Sequence, residues 1–418
     1  MTRRVHIIGA GMAGLSAALH LTLAGEQVTL YEAAPFAGGR CRSFLDRELG
    51  CIIDNGNHLV LSGNAAVHDY LYFTNALETM GGPGAPLFPF MDLVSGERWT
   101  VNMGKGVMPW WIFQSNRRVA GTSVIDYLSA LKILMAKEND VVTDLCDTRS
   151  NIYRRFWEPL VVGALNTEPE MASAKLLASI FAQSFGAGGR NCIPLIPKVG
   201  LSETFITPCV ELLKQRGTKI EFTRRLRSMT LDQTHVRALD FIHGGSVPVE
   251  PGDWVVLALP AWITREFLPE ISVPTDFRSI ISAHFRVDMP MEPTGFTGLV
   301  GGLAEWAFVK PGVISVTISC GERLAEYAVR DLAPLVWRDV AKLYDLDPAK
   351  VPQHRIFKEK YATFAATPEQ NARRPTALTN WKNLALAGEW TATGLPSTIE
   401  SAVRSGLKAA QVVMRWAD

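Results

Sequence analysis

The sequence predicts an α/β protein: a discontinuous Rossmann-like domain built on a parallel sheet, with a second domain of α+β type. Three features predict it: a strand, glycine turn and helix at the start of the chain, a buried strand near residue 254, and another buried strand leading into a long C-terminal helix.

The first feature lies in VHIIGAGMAGLSAALHLTLAGEQVTLYE, residues 5–32. Residues 5–8 are a β-branched run, 12–24 are apolar nearly all round and 28–31 are apolar again, which reads as strand, helix, strand. Gly9, Gly11 and Gly14 have GxGxxG spacing. That spacing turns the chain tightly, lets backbone approach a pyrophosphate and lets the helix pack closely on the strand. Met12 and Ala13 open the helix, whose N-terminal amides face the anion. Glu32, followed by Ala33, ends the second strand eighteen residues after Gly14. A carboxylate there accepts hydrogen bonds from both ribose hydroxyls and repels a 2′-phosphate, so the ligand is a dinucleotide that lacks one.

Composition excludes several classes of function. With 418 residues, 47% hydrophobic and 20% charged, the chain can build two domains with large cores. The formal charge of +1, from 42 Lys and Arg against 41 Asp and Glu, offers no basic field and so no nucleic-acid partner. The six cysteines, at 41, 51, 146, 192, 209 and 320, form no CxxC pair and no metal-ligand set. They read as small buried hydrophobes in a reducing cytoplasm, with no metal site. The first strand begins within five residues of Met1, and no apolar run reaches the eighteen or so residues of a span. Neither a signal peptide nor a transmembrane helix is expected.

The second feature follows a helix over 202–216 and short strands near 220–222 and 236–242; WVVLALP at 254–260 then reads as a fully buried strand. The third is NLALAGEW at 383–390 with the helix beyond it. Residues 1–60, 196–260 and 381–418 are therefore assigned to the nucleotide-binding domain, and 61–195, mostly helical, with 261–380 to the second. In that second domain Ser123 and Asp126 have capping-box spacing ahead of YLSALKILMAKEN. ISAHFRVDM at 281–289 and GVISVTISC at 312–320 alternate in part, as half-buried strands do. VMPWWIFQSNRR at 107–118 reads either as core or tunnel wall, or as an aromatic patch that dips into a membrane interface beside Arg117 and Arg118.

The continuation AAPFAGGRCRS places Gly38, Gly39 and Arg40 just past Glu32, a second glycine turn whose cation can meet the same pyrophosphate. In this order the N-terminal run resembles the FAD-binding opening of the flavin amine oxidase and carotenoid desaturase superfamily. GEW at 388–390 and GLPSTIESAVRSG at 394–406 resemble its terminal motif, with a helix starting near Ser397 or Thr398. The resemblance implies Gly388 and Glu389 near the ribityl phosphate and Ile399 near the flavin ring, with Pro396, Thr398 and Leu226 also on the cofactor. Amine oxidases of the superfamily usually cage the amine with an aromatic residue in this segment; Thr398 stands here instead, which argues against amine oxidation.

IIDNGNHLVLSGN at 52–64 and FWEPLVVGALNTEPEMASAK at 156–175 resemble the squalene-associated FAD-dependent proteins, the hydroxysqualene dehydroxylases. That resemblance implies a flavoprotein of the glutathione reductase-2 type, FAD as cofactor, and a strand carrying Asp54, Asn55, Gly56, Asn57 and His58 towards the flavin. It also implies the reaction, in which an allylic thirty-carbon alcohol loses its hydroxyl and takes hydride from reduced FAD to give squalene. Such chemistry needs a proton for the departing oxygen, and His58 has the titration range of an acid near neutrality, with Asp54 to orient or charge it. The expected partners are a long apolar isoprenoid, an electron donor that no second nucleotide fingerprint identifies, and the inner face of the membrane. A carotenoid-type desaturase and a non-enzymatic lipid-binding protein on the same fold are the alternative functions.

Overall fold

In the computed structural model, which describes residues 3–291 and 293–415, β1 (Arg4–Ile8) is the middle strand of a five-stranded parallel sheet. The order is Lys219–Glu221, β2 (Gln27–Tyr31), β1, Trp254–Leu257, Leu384–Leu386. Ile7 sits opposite Leu30 on one side and Val256 on the other. The three strands β1, Trp254–Leu257 and Leu384–Leu386 are buried on both faces, which is why they read as continuous apolar runs, while the edge strand Lys219–Glu221 is partly exposed.

The helix α1 (Met12–Leu23) packs against the C-terminal helix Ile399–Arg415. Gly406 makes the approach possible, since a Cβ there would stand 2.3 Å from the Ala13 carbonyl oxygen. Ser16, wholly buried, donates to the Val403 carbonyl at 2.7 Å and fixes the register between segments 387 residues apart. The helix predicted over 202–216 opens as a π turn, Ser202–Ile206, and continues as Thr207–Gln215.

A second sheet of seven strands runs His354–Phe364, Phe277–Arg286, Val313–Ile318, Trp306–Lys310, Phe296–Val300, Leu87–Asp92, Arg98–Asn102. Its last two strands come from the stretch predicted as mostly helical. Pro89, lacking an N–H, interrupts LFPFMD and hides its alternation, yet Phe88 and Phe90 both turn into the core. Of the capping box predicted at Ser123 only one half forms: the Asp126 carboxylate accepts from the Ser123 amide at 2.6 Å and from its hydroxyl at 3.0 Å, and the hydroxyl accepts from no helix amide among the described residues. The helix beyond it is broken into a 3₁₀ turn, Ile125–Tyr127, and a short α-helix, Leu128–Leu134. Among the described residues no helix is long and apolar enough to cross a membrane.

Gly406→Val should lower stability by about 1–3 kcal/mol, because the branched side chain meets backbone that cannot yield. An unchanged midpoint in denaturant unfolding would contradict this packing.

Candidate active site

A cavity of about 1210 Å³ opens outside the carboxyl ends of the parallel strands and reaches across to the seven-stranded sheet. Helices Glu158–Leu165, Ala174–Gln183 and Ala261–Phe267 complete its wall. Ligands of open α/β sheets bind beyond the same strand ends.

The three glycines of the first turn are needed for different reasons. Gly9 has φ +105°, and a Cβ there would lie 2.5 Å from the Ala258 carbonyl oxygen. Gly14, off the cavity, would place a Cβ 1.9 Å from the Gly9 oxygen, so it serves the close packing of α1 on β1. Gly11 lines the cavity with φ −74°, which any residue adopts, and a Cβ on it would meet no protein atom within 4 Å. No protein atom demands glycine there. What Gly11 keeps free is the space before the N-terminus of α1, which has no side-chain cap and no acidic residue in its first turn.

Met12, Ala13, Glu32 and Ala33 share this wall. The Glu32 carboxylate accepts from the Ala10 and Ala34 amides, each at 2.8 Å, which aims it at the cavity. The second turn crosses the first: Gly38 bridges Gly11, and a Cβ on Gly39 would stand 3.5 Å from the Gly11 Cα. Arg40 pairs with Glu389 at 2.7 Å and donates to the Ala362 carbonyl at 2.6 Å, so two residues expected on different parts of the cofactor hold each other. Leu226, Gly56, Asn57, Gly388, Pro396, Thr398 and Ile399 also line the cavity. Thr398 accepts from the Ser401 amide at 3.1 Å and caps the C-terminal helix. Asn57 donates to Thr317 at 3.1 Å, but its Oδ1, like the Ser397 hydroxyl, is a buried polar atom without a partner on the cavity wall. Free space at Gly11, an aimed carboxylate and orphaned polar atoms suit a dinucleotide such as FAD.

The expected catalytic pair does not form. Only Asp54 belongs to the strand Cys51–Asp54; residues 55–59 leave it as a loop along the cavity. Asp54 lies off the cavity, ion-paired with buried Lys310 and accepting from the Leu201 amide at 2.9 Å, so it does not orient His58. The His58 ring faces the cavity without a hydrogen bond to any described residue. Burial pushes it down to about 4; Asp54 opposes this, and Lys310 and Arg40 reinforce it. At neutral pH it is therefore an uncharged imidazole rather than the acid expected from its usual range. His284, fully buried with Nδ1 2.7 Å from the Ser315 hydroxyl, is also pushed down to about 4 by burial.

The far end of the cavity is apolar, with Phe88, Phe90, Phe156, Phe185, Trp306 and Phe308 on its wall. Phe90 meets Trp306 edge-on at 5.6 Å, and Gly163 makes room for the indole, because a Cβ there would lie 2.5 Å from its nitrogen. Sequence reasoning did not place these rings on the cavity: Phe156 opens the stretch 156–175, and the other five come from separate segments that share no motif. The stretch 107–113, read as a possible tunnel wall, does not line the cavity: Trp111 packs on Tyr127 at 5.3 Å, while Val107, Met108, Trp110 and Phe113 are exposed.

The family model of flavin containing amine oxidoreductases matches residues 12–414. A hydroxysqualene dehydroxylase of Sinorhizobium fredii is 43% identical, over 99% of both chains. The chain belongs to the hydroxysqualene dehydroxylase family of flavin-containing amine oxidoreductases. It is an FAD-dependent oxidoreductase. A zeta-carotene desaturase of Synechocystis is more distant, at 21% identity over 98% of this chain and 97% of its own. Among solved structures, cyclohexylamine oxidase from Brevibacterium oxydans shares the fold, with a TM-score of 0.71 at 14% identity and 99% coverage of each chain.

Gly11→Val should give a protein that folds with nearly its ligand-free stability yet purifies colourless, since a Cβ there meets no described protein atom within 4 Å and the side chain enters the ligand's space. Stoichiometric flavin in that variant would overturn the phosphate site. His58 and His284 hold folded values near 4 against the ordinary 6.5, so between these pH values the unfolded chain binds more protons than the folded one. Stability should be complete above about pH 6.5 and fall as pH drops towards 4. The slope of melting temperature against pH in that window should be shallower in His284→Gln; an equal slope would show that His284 does not contribute.

Proposed function

We infer that this chain removes the allylic hydroxyl of hydroxysqualene reductively to give squalene. The observation that carries this reading is the single cavity of about 1210 Å³ whose dinucleotide end runs without a break into an aromatic end. It exceeds the roughly 300–1000 Å³ of a pocket for one small ligand, leaving room for a cofactor and a long hydrocarbon together. FAD, bound and reduced, supplies a hydride.

The other tasks fall to the chain's own residues. One hydride and one proton, the two equivalents that a fully reduced flavin carries, are consumed in all: the allylic C–O bond breaks with its electron pair on oxygen, the oxygen gains the proton and leaves as water, and the carbon gains the hydride. Uncharged His58 would hold the departing oxygen by a hydrogen bond, a role that needs no ionised imidazole. The faces of Phe90 and Trp306 favour positive charge developing on the allyl unit, and the apolar wall keeps out water that would return it to the alcohol. Thr398 stands where the amine oxidases of the superfamily carry a cage aromatic, which disfavours amine oxidation. The lower identity to a carotenoid desaturase favours dehydroxylation over desaturation. Six free cysteines, with thiols such as Cys209 pushed up to about 12 by burial, suit a reducing cytoplasm.

Turnover in D₂O with reduced flavin should give squalene carrying one deuterium at the former carbinol carbon or its allylic partner; unlabelled squalene would contradict hydride delivery from the cofactor. His58→Leu should keep FAD and lose about ten- to a hundred-fold in turnover, the cost of an unpaired buried oxygen. Wild-type turnover should also show no limb between pH 6 and 8 that the variant lacks. Such a limb would make His58 a charged acid.

A further inference from the structure

One surface has a character that the cavity does not explain. Trp110, Phe113, Ile125, Leu128, Leu131 and Met135 are each between 54% and 80% exposed. Ile125, Leu128, Leu131 and Met135 are spaced by three or four residues, so they form one stripe along the 3₁₀ turn and the helix that follows. The opposite side of the same segment buries Tyr127 and Ile133. The segment thus carries apolar residues on both sides, and its outer stripe is covered by none of the described residues. The short helix Trp110–Phe113 is fixed beside it: Trp111 packs on Tyr127, and the Val119 amide donates to the Tyr127 hydroxyl at 2.9 Å. The rings of Trp110 and Phe113 lie 6.0 Å apart at the surface.

Cations rim this stripe. Lys105, Lys132, Lys137 and Arg190 are exposed and form no ion pair among the described residues; the turn that carries Arg190 is tied to the stripe's edge by the Gly189 amide, which donates to the Gly106 carbonyl at 2.9 Å. From position 105 to 140 five Lys and Arg stand against three acidic residues: Asp126 is held by Ser123, Glu138 pairs with Lys175, and Asp140 accepts from the Lys137 amide. In a chain whose formal charge is +1, this is a local excess of positive charge. A second copy of the chain would set these cations against their own kind, whereas anionic headgroups over acyl chains complement both the rim and the stripe. The face also adjoins the apolar end of the cavity. Gly188 packs on Val107, with a Cβ position 2.8 Å from its Cα, three residues from the cavity-lining Phe185.

We propose that the face formed by Trp110, Phe113 and the Ile125–Met135 stripe seats in the headgroup boundary of an anionic bilayer, from which the cavity takes its substrate. The docking rests on this surface alone; the identity of the lipid that is taken up rests on the function inferred above. Flotation with two kinds of vesicle tests it, phosphatidylcholine alone and phosphatidylcholine with about a third phosphatidylglycerol. The FAD-loaded protein should float with the anionic vesicles, far less with the neutral ones, and be released by salt. Leu128→Ser with Leu131→Ser should cut flotation more than tenfold, and each of Lys105→Gln, Lys132→Gln and Lys137→Gln should cut it about fivefold. All should keep flavin and turn over detergent-dispersed hydroxysqualene as the wild type does. Absence of wild-type flotation on anionic vesicles would overturn the proposal. So would equal flotation of wild type and double serine variant, or a wild-type dimer that this variant dissolves. If flotation follows the expected pattern while dispersed hydroxysqualene is not turned over, the docking face stands and the inferred substrate falls.

Discussion

The approach of Gly14 to the carbonyl of Gly9 is the constraint on which the rest of the site depends. With no side chain in between, α1 starts directly at the end of β1, so its uncapped N-terminus points into the cavity. The same turn offers the Ala10 amide to Glu32 and a bridge to Gly38, which draws the end of β2 and the second glycine turn onto the same point. Gly406 then lets the C-terminal helix lie on α1, and that helix brings Thr398 and Ile399 to the opposite wall. Residues from both ends of the chain meet because two helices can touch at glycine.

Charge is sorted along the cavity. Arg40 and Glu389 neutralise each other at the dinucleotide end, and Asp54 is neutralised by Lys310 behind the loop that carries His58. Burying such a pair costs desolvation that its attraction only partly offsets, so it adds little stability. Its consequence is local: His58 has no unpaired carboxylate to hold a proton on it and is left uncharged at an apolar site. A neutral hydrogen-bonding group in the same cavity as the aromatic rings can hold a leaving oxygen without adding a positive charge that would oppose a delocalised cation.

Much of this was legible in the sequence, because the glycines, Glu32 and the terminal motif act locally: each is read within a few residues of its neighbours, and each reaches the cavity or its packing as spacing requires. The partner of Asp54 was not, since Lys310 lies 256 residues away and no pattern joins the two. The strand Leu87–Asp92 was hidden by Pro89, whereas Arg98–Asn102 alternates cleanly in RWTVN and carried a readable strand signal. The bare side of the helix read at 123–139 was illegible for another reason. Helical periodicity distinguishes two faces only when one of them is polar, and here both carry apolar residues, so the sequence does not say which side the fold leaves exposed.

The direction in which electrons flow separates reductive dehydroxylation from every oxidative reaction of the same fold. An anaerobic single turnover measures it directly: flavin in the purified protein is fully reduced, hydroxysqualene is added, and flavin reoxidation is followed by absorbance while the lipid is extracted. One squalene should form for each flavin reoxidised, with no oxygen present and no product more unsaturated than squalene. Flavin that stays reduced in the presence of excess hydroxysqualene, or a lipid that reacts only with the oxidised protein, would contradict it.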